Sequence, residues 1–364
     1  MKVTIVAGAR PNFMKIAPII EAIKLKQAED CDITFRLVHT GQHYDKNLSD
    51  TFFEELDIPF PDSNLNVKSG TQAEQTAAVM IGFEKELQQN PCDLVMVVGD
   101  VTSTMACAIV AKKANIKVAH VEAGIRSGDM RMPEEINRIV TDSLTDYFFT
   151  TSTYANQNLM KLGIPKHQIF FVGNVMIDTL RKNEAHLRQP KIWNDLGLER
   201  KKYLVITLHR PSNVDEEQQL KTLISKIATL GKDYPILFPV HPRTKNILKG
   251  LTLNFENLHY ISPLGYLEFN FLVKYALAVL TDSGGITEET TVMNVPCLTL
   301  RDTTERPETC EIGTNVLVGN DKKKIENAFK TLINGIWKQG QVPELWDGKS
   351  AIRIVNHLVE IYQL

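Results

Sequence analysis

The sequence predicts an α/β protein of two domains, each built around a parallel β-sheet. With 364 residues, the chain exceeds the roughly 250–300 residues that one hydrophobic core usually serves. Short runs of β-branched and apolar residues recur in both halves, and most are separated by spacers long enough for a helix. This is the pattern of successive βαβ units, and two parallel-sheet domains follow from it.

The predicted strands fall into two sets, one in each half of the chain. They are Val3–Val6, Thr34–Val38, Leu94–Val98, Val118–Val121 and Tyr147–Thr150, then Tyr203–Thr207, Ile236–Val240, Leu258–Ile261, Ala278–Leu280 and Pro296–Leu300. We place the boundary near residue 170, which gives an N-terminal domain of residues 1–169 and a C-terminal domain of residues 170–349. An amphipathic helix within residues 350–364 is expected to pack back on the first domain.

Composition and charge favour a cytoplasmic protein with a small-molecule partner. The 41 basic and 43 acidic residues give a net charge of −2, and no basic patch indicates nucleic acid or an anionic membrane as a partner. The five cysteines form no Cys-x-x-Cys pair, so neither a disulfide framework nor a zinc site is predicted. The sequence shows no export signal and no run of roughly 20 apolar residues.

The stretch around Ser283-Gly284-Gly285 is the first candidate site. It connects an apolar strand to a helix-forming segment, and glycines at a helix N-terminus allow close approach of a phosphate to backbone N–H groups. A carboxylate on the first turns of the following helix can accept ribose hydroxyls. An ordinary helix start with acidic residues explains the same pattern equally well.

The loop after the first predicted strand carries two cations instead of a dinucleotide fingerprint. Gly8-Ala9-Arg10-Pro11-Asn12 does not match Gly-x-Gly-x-x-Gly, so NAD binding loses support, and no cofactor is predicted. Arg10 and Lys15 instead stand at the carboxyl end of a strand, where α/β sheets bind ligands. They indicate recognition of phosphate or carboxylate, although a lone lysine is often only a solvated helix residue.

Three carboxylates and two histidines are the candidate acid/base groups. Asp100 and Glu122 follow predicted strands, and we expect clustering to repel their charges and raise one pKa. Glu134 stands just after a helix-starting proline, where the helix dipole alone would favour it. His209 and His241 each follow a strand of the second domain, and their surroundings do not have metal-ligand spacing, so no metal is predicted.

The ordered set of these motifs resembles the non-hydrolysing UDP-N-acetylglucosamine 2-epimerases over nearly the whole chain. The matching stretches are Gly8-Ala9-Arg10-Pro11, Thr40-Gly41-Gln42-His43, Gly99-Asp100, His120-Val121-Glu122-Ala123-Gly124-Ile125-Arg126-Ser127, Pro133-Glu134-Glu135-Ile136-Asn137-Arg138, Gly173-Asn174, Thr281-Asp282-Ser283-Gly284-Gly285 and Thr304-Glu305-Arg306-Pro307-Glu308. The resemblance implies a glycosyltransferase-B architecture with two Rossmann-like domains facing each other across a cleft. It also implies elimination of UDP to 2-acetamidoglucal and re-addition after the sugar ring has turned over.

The resemblance also implies a role for each candidate residue. Asp100 and Glu122, with Glu134 as a third carboxylate, match the acid/base positions. Groups expected to act on UDP or the reacting sugar are Arg10, Lys15, His209, His241, Phe269, Ser283, Gly284, Gly285 and Glu289. Phe269 would pack on uracil and Glu289 would hold the ribose. A homodimer is expected as the commonest soluble assembly.

Two departures from the family pattern affect regulation and substrate choice. Bacterial members usually follow the second-domain histidine with Arg-Arg-Glu-Asn, whereas His209-Arg210 runs into Pro211-Ser212-Asn213. In those members this region and the positions matching Gln42 and His43 bind an activating second substrate, so we expect weak or absent activation. The stretch Arg126–Pro133 is similar to relatives that act on diacetamido-uronic acid nucleotides.

Three other functions remain open from the sequence. A glycosyltransferase of the same architecture would share the diphosphate turn, but it would not need the three carboxylates together. A hydrolysing epimerase that releases N-acetylmannosamine would share the elimination step and admit water. A non-enzymatic UDP-sugar sensor would bind UDP without changing any sugar.

Overall fold

The computed structural model describes residues 1–41, 55–214, 216–240 and 253–364, without the side chains of residues 10, 211 and 212. The chain divides into two compact units. The first unit contains Met1–Lys182 and Glu344–Leu364, and the second contains Asn183–Pro343. Each unit is an α/β fold around one parallel sheet, which confirms the fold class that the sequence predicts.

The first unit is built on a sheet of seven strands. These are β1 (Lys2–Ala7), β2 (Thr34–His39), β3 (Ser63–Asn64), β4 (Leu94–Val98), β5 (Lys117–Val121), β6 (Tyr147–Thr150) and β7 (Ile169–Phe171). They lie in the order β3-β2-β1-β4-β5-β6-β7, and all neighbours are parallel. Besides the C-terminal helix given below, its described helices are α1 (Arg10–Ala28), α2 (Gln72–Gln89), α3 (Thr102–Lys113), α4 (Pro133–Leu144), α5 (Thr153–Lys161) and α6 (Val175–Asn183).

The second unit is built on a sheet of six strands. These are β8 (Leu204–Thr207), β9 (Ile236–Pro239), β10 (Leu258–Ile261), β11 (Ala278–Thr281), β12 (Cys297–Thr299) and β13 (Asn315–Leu317), in the parallel order β10-β9-β8-β11-β12-β13. The described helices are α7 (Lys191–Asp195), α8 (Pro211–Val214), α9 (Glu217–Leu230), α10 (Tyr266–Tyr275), α11 (Gly284–Val292), α12 (Pro307–Glu311) and α13 (Lys322–Ile333).

Burial explains why the central strands read as unbroken apolar runs. All five residues of β4 are buried, because helices cover both faces of a parallel sheet. On one face, Val95 and Val97 pack with Val79 and Phe83 of α2. The strand pattern therefore reflects a sheet that is enclosed on two sides.

Strand order fixes where a ligand can bind in each unit. Chain order reverses between β1 and β4 in the first sheet and between β8 and β11 in the second. At such a reversal the loops after the two strands diverge and leave a crevice at the carboxyl edge of the sheet. Most of the candidate residues predicted from the sequence follow these strands or their neighbours.

The C-terminal helix α14 (Ser350–Tyr362) belongs to the first unit. Asp178 of α6 accepts hydrogen bonds from the backbone N–H groups of Ser350 (3.1 Å) and Ala351 (2.6 Å). The buried Trp346 donates from Nε1 to the Thr151 carbonyl at 2.9 Å. β7 extends the first sheet beyond the predicted boundary near residue 170, and the division between the units lies after Lys182.

Among the described helices, none combines the length and apolar character needed to cross a membrane.

Candidate active site

In the first unit, Asn12 joins the loop after β1 to the end of β4. Its Oδ1 accepts from the backbone N–H groups of Gly8 (3.1 Å) and Ala9 (2.9 Å), and its Nδ2 donates to the Val98 carbonyl at 2.9 Å. Asn12 is buried, so each of these bonds satisfies a polar group that water does not reach. Helix α1 is thereby fixed beside β4, and Lys15 on its first turns reaches the same edge.

Lys15 forms an ion pair with Glu122, the residue that follows β5. The two side chains are 13% and 3% exposed. Glu122 has a φ of 71°, a left-handed conformation that costs a non-glycine residue about 1–3 kcal/mol. Its N–H donates to the Phe149 carbonyl at 3.0 Å, which helps to hold this conformation. A strained backbone thus places a nearly buried carboxylate beside a cation at the carboxyl edge of the sheet.

Asp100, which follows β4 after one glycine, pairs with Arg138 of α4. Nε and Nη2 of Arg138 lie 3.0 and 2.6 Å from Oδ2 of Asp100. Arg138 also donates from Nη1 to Glu135 at 2.6 Å, and Glu135 accepts from the Ser127 and Gly128 N–H groups. The Asp100 side chain is 32% exposed and that of Arg138 only 3%. Solvent therefore reaches the carboxylate, while buried partners hold its cation.

Gly99 lies where these groups meet. A Cβ atom on Gly99 would lie 3.1 Å from Nζ of Lys15 and 3.4 Å from Oε2 of Glu122, and its φ of 69° favours glycine. The structure thus brings Asp100, Glu122 and Lys15 to one edge. We expected the clustered carboxylates to repel each other, but each has its own cation. Glu134 is partly exposed in the first turn of α4.

In the second unit, the buried carboxylate of Asp282 organises the loop after β8. It accepts from the backbone N–H groups of His209 (3.2 Å) and Arg210 (3.0 Å), from Nδ2 of Asn213 (3.0 Å), and from Nδ1 of His209 (2.7 Å). Burial raises the pKa of Asp282, but the contacts with His209, Asn213 and Arg210 outweigh burial and lower it below its usual value. The His209 side chain is 61% exposed, so its ring is anchored at one nitrogen and open to solvent elsewhere.

The Ser283-Gly284-Gly285 turn is the start of helix α11. The Ser283 side chain makes no capping hydrogen bond, so it does not occupy the N–H groups of the first turn. A Cβ atom on Gly284 would lie 2.7 Å from Oε1 of Glu305, whose other oxygen pairs with Arg301 at 2.6 Å. An anionic group already lies beside this helix start, as its dipole favours.

Glu289 lies further along α11 and is buried. Burial raises the pKa of Glu289 to about 7, although contacts with Tyr266 and Asn270 oppose that rise. Nδ2 of Asn270 lies 3.3 Å from Oε1 of Glu289. Phe269, the residue before Asn270, is half-buried against the apolar cluster that includes Val279 and Leu272. Helix α10 thus contributes both Phe269 and a hydrogen bond to Glu289.

A second buried carboxylate lies near the same helix. Glu308 is 2% exposed, and neither of its carboxylate oxygens has a hydrogen-bond partner among the residues that the structure describes. Burial raises the pKa of Glu308 to about 7, and the charge of Arg306 counteracts this only in part. Arg306 itself pairs with the buried Glu288. In the unfolded chain the Glu308 carboxyl loses its proton near pH 4.5, whereas in the folded protein it keeps the proton up to about pH 7.

Replacing Glu308 by Gln is expected to stabilise the protein at pH 8 but not at pH 5. Because the folded-state pKa lies above the unfolded one, the free energy of unfolding falls as pH rises from about 4.5 to 7, and a neutral amide removes that loss. Thermal unfolding at both pH values measures the difference. Glu311→Gln, an exposed change on the same helix, is the control, and equal shifts at pH 5 and pH 8 would contradict the prediction.

The side chains of four predicted site residues are not described by the structure. Gln42, His43 and His241 lie outside the described residues, and the Arg10 side chain is not described either. Among the described residues, no group of three or more His, Cys, Asp or Glu side chains could hold a metal ion. Conversely, the sequence analysis assigned no role to Asn12, Arg138 or Asp282, although all three lie within its motifs. The structure shows that their side chains anchor the loops of the site.

The chain is similar to known proteins along almost its whole length. The family model described as UDP-N-acetylglucosamine 2-epimerase matches residues 24–359. A Methanocaldococcus jannaschii protein of that name is 42% identical over 98% of this chain and 99% of its own length. A Pseudomonas aeruginosa protein named UDP-2,3-diacetamido-2,3-dideoxy-D-glucuronate 2-epimerase is 36% identical over 99% of this chain and 100% of its own.

Solved structures show the same likeness. The crystal structure of Methanocaldococcus jannaschii UDP-GlcNAc 2-epimerase in complex with UDP-GlcNAc and UDP has a TM-score of 0.88 at 42% identity, and covers 99% of this chain and 100% of that one. The Neisseria meningitidis UDP-GlcNAc 2-epimerase bound to UDP-GlcNAc has a TM-score of 0.89 at 29% identity, with coverage of 99% and 100%.

Two parallel-sheet units with charged groups at their carboxyl edges define a two-domain α/β protein of the glycosyltransferase-B type, as the sequence predicts. Within that class, the chain belongs to the UDP-N-acetylglucosamine 2-epimerase family. The resemblance stated from the motifs is therefore confirmed at the level of the family.

Proposed function

We propose that the protein interconverts UDP-N-acetylglucosamine and UDP-N-acetylmannosamine without hydrolysis, through 2-acetamidoglucal. The observation that carries the proposal is the pair of carboxylates at adjoining strand ends, Glu122 beside Lys15 and Asp100 beside Arg138. Family membership supports the sugar nucleotide and the C2 position. The homodimer and the cytoplasmic location stay predictions.

C2 of the sugar is not next to a carbonyl, so simple enolisation cannot invert it and UDP has to be eliminated. Two acid/base groups are needed because the proton leaves one face of C2 and returns on the other. In the proposed elimination, one carboxylate takes the C2 proton, the C–H electron pair forms the C1–C2 double bond, and the C1–O bond breaks with its electrons leaving on UDP. In the return step UDP attacks C1, and C2 receives a proton on the opposite face. Asp100 and Glu122 would serve the two faces, with Glu134 as a third carboxylate.

The second unit would hold UDP as the leaving group. The Ser283 N–H donates to Oγ1 of Thr281 at 3.0 Å, so the N–H groups of Gly284 and Gly285 at the start of α11 are the ones that would favour diphosphate charge. His209 is anchored to Asp282 with the rest of its ring exposed, which suits a diphosphate contact. We assign the nearby roles as the resemblance implies them: Arg10, Lys15 and His241 contact phosphate or sugar, Glu289 holds ribose, and Phe269 packs on uracil.

Deuterium incorporation tests the proposal directly. The protein is incubated with UDP-N-acetylglucosamine in deuterated water, and the sugar nucleotide is examined by NMR. We expect deuterium at C2 and UDP-N-acetylmannosamine in the equilibrium mixture. Substrate that stays unlabelled would rule out this function, and free N-acetylmannosamine with stoichiometric UDP would identify a hydrolysing enzyme instead.

The similarity to the Pseudomonas aeruginosa protein supports a second candidate substrate of the same chemistry. That protein is named for a UDP-diacetamido-glucuronate, and it is 36% identical over 99% of this chain. The elimination and re-addition steps would be the same, because they involve only C1 and C2. Parallel incubations with both sugar nucleotides would separate the candidates by their relative kcat/KM values.

Affinity for the sugar nucleotide is expected to rise roughly tenfold between pH 6 and pH 8. The pKa of Glu289 is about 7, and only its ionised form offers both carboxylate oxygens as acceptors to the ribose hydroxyls, so deprotonation favours binding. UDP-N-acetylglucosamine itself has no group that titrates in this range. Calorimetric titration of Glu122→Gln protein, expected to bind without turnover, measures the effect. The double variant with Glu289→Gln should lose it, and an unchanged pH dependence would refute the assignment.

Substrate activation is expected to be weak or absent. Arg210, a candidate activator-site residue, already donates from Nε to the Asp282 carbonyl at 3.0 Å, and Pro211-Ser212-Asn213 follows it in place of the usual Arg-Arg-Glu-Asn. Initial rates with UDP-N-acetylmannosamine as substrate should follow a hyperbola. A strongly sigmoidal curve that becomes hyperbolic with a trace of UDP-N-acetylglucosamine would contradict this prediction.

A further inference from the structure

His120, which is not among the predicted acid/base groups, lies next to the first-unit site. His120 on β5 is fully buried, and both of its ring nitrogens are engaged. Nε2 lies 2.8 Å from the Gly99 carbonyl oxygen, and Nδ1 lies 2.7 Å from Oδ1 of Asp142. Because a carbonyl oxygen can only accept, Nε2 is the donor in the first contact.

Asp142, the partner of the His120 ring, is itself held by several polar contacts. Its Oδ2 accepts from the Gly124 N–H at 3.1 Å and from Nη1 of Arg126 at 2.7 Å, and its side chain is 1% exposed. Burial raises the pKa of Asp142, but the contacts with His120 and Arg126 outweigh burial and lower it below its usual value. An ionised carboxylate can only accept hydrogen bonds, so Nδ1 of His120 is the donor in its short contact with Asp142.

The Gly99 peptide is the element that His120 acts on. The Gly99 N–H donates to the Val121 carbonyl at 3.0 Å, and the Gly99 carbonyl accepts from His120. Gly99 has a φ of 69°, so the chain turns sharply here before it reaches Asp100. Side chains also hold the carbonyls of the neighbouring residues Val98 and Asp100, but of the two bonds that Gly99 itself makes, the one to His120 comes from a side chain.

The same peptide lies against the other acid/base pair. The atoms nearest to a Cβ on Gly99 belong to Lys15 and Glu122, at 3.1 and 3.4 Å. A rotation of the Gly99 peptide would therefore move Asp100 and change the packing around the Glu122–Lys15 pair at once. An ordinary core histidine would satisfy its own polar atoms without being bonded to the turn that positions both carboxylates.

We propose that His120 is a positioning residue for C2 proton transfer, which holds the Gly99 turn, and through it Asp100 and Glu122, in the reactive arrangement. This inference rests on the proposed function. His120 itself does not touch the sugar; it acts through the Gly99 carbonyl. Misplacement of a reacting group by about 1 Å costs on the order of 10²-fold in rate, which sets the effect that we expect.

Two substitutions separate the bond to Gly99 from the bond to Asp142. The amide nitrogen of Gln can replace Nε2, so His120→Gln keeps a donor for the Gly99 carbonyl and gives up Asp142. The shorter Asn reaches only the position of Nδ1, so His120→Asn keeps the Asp142 contact and gives up Gly99. Exposed His167 provides the matched controls, His167→Gln and His167→Asn.

The readouts are kcat for deuterium incorporation at C2, KM, and the UDP dissociation constant from calorimetry. We expect His120→Asn to lower kcat about 10²-fold with UDP affinity unchanged, and His120→Gln to stay within about tenfold of wild type. The His167 variants should match wild type. This split between kcat and affinity, with recovery by Gln, would not result from a general loss of folding.

Each other outcome counts against the proposal. Equal kcat values for the two variants, or a His120→Asn protein as active as wild type, would overturn it. If His120→Asn does not fold, His120→Gln decides alone, because a 10²-fold loss of kcat with intact UDP binding would refute the role of the Gly99 bond. Wild-type protein that incorporates no deuterium would overturn the proposed function, and the positioning role with it.

Discussion

Replacing Glu122 by Gln is expected to reduce deuterium incorporation at C2 by about 10²–10⁴-fold. Gln keeps the length of the side chain and an oxygen for Lys15, but it cannot accept or return the C2 proton. The UDP affinity should stay close to that of wild type, because most of the proposed UDP contacts lie in the second unit. Single-turnover NMR with UDP-N-acetylglucosamine in deuterated water measures the first quantity, and calorimetry the second.

The control for this experiment is Glu84→Gln, an exposed change on α2 of the same unit. It should leave both quantities unchanged. If Glu122→Gln kept full turnover, its acid/base role would be wrong, and Asp100 and Glu134 would have to supply both proton transfers.

Replacing Asp282 by Ala is expected to have the largest effect on the second unit. The change leaves the His209 and Arg210 N–H groups and the Asn213 amide without their shared acceptor. A buried hydrogen-bond donor left without an acceptor costs about 1–3 kcal/mol. We therefore expect a lower unfolding transition and a large loss of UDP affinity, because the loop that presents His209 is no longer held.

Denaturant unfolding with and without UDP tests this expectation. Asp233→Ala, an exposed change in the same unit, should leave the transition and the UDP affinity unchanged. Asp282→Asn keeps one oxygen acceptor, so it should give an intermediate result. An Asp282→Ala protein with wild-type stability and affinity would show that other contacts fix the loop.

The sequence predicts the central strands well because burial on both faces gives them continuous apolar runs. β4, β6 and β10 have the predicted bounds, and the other predicted strands differ from theirs only at the ends. The three strands that the sequence analysis missed, β3, β7 and β13, each lie at the edge of a sheet. They are only two or three residues long, so their formation depends on a partner strand more than on their own pattern.

For the site, the sequence predicts which residue types lie at the ends of strands, but not which residues they pair with. Asp100 and Glu122 lie at one edge, as their positions predict, yet the cations that face them come from helices far apart in the chain. Asp282 stands next to the glycine turn and has no sequence feature that separates it from an ordinary loop carboxylate. Its importance follows from burial and from donors more than 60 residues away in the chain.

The position of α14 has a consequence for how the protein folds as it is made. The first unit is completed by Glu344–Leu364, and the whole second unit is synthesised between its two parts. Until Ser350 and Ala351 leave the ribosome, Asp178 has no N–H partners from α14, and the α1 surface that α14 covers is open. The second unit can therefore finish folding before the first, which reverses the usual N-to-C order of domain folding during translation.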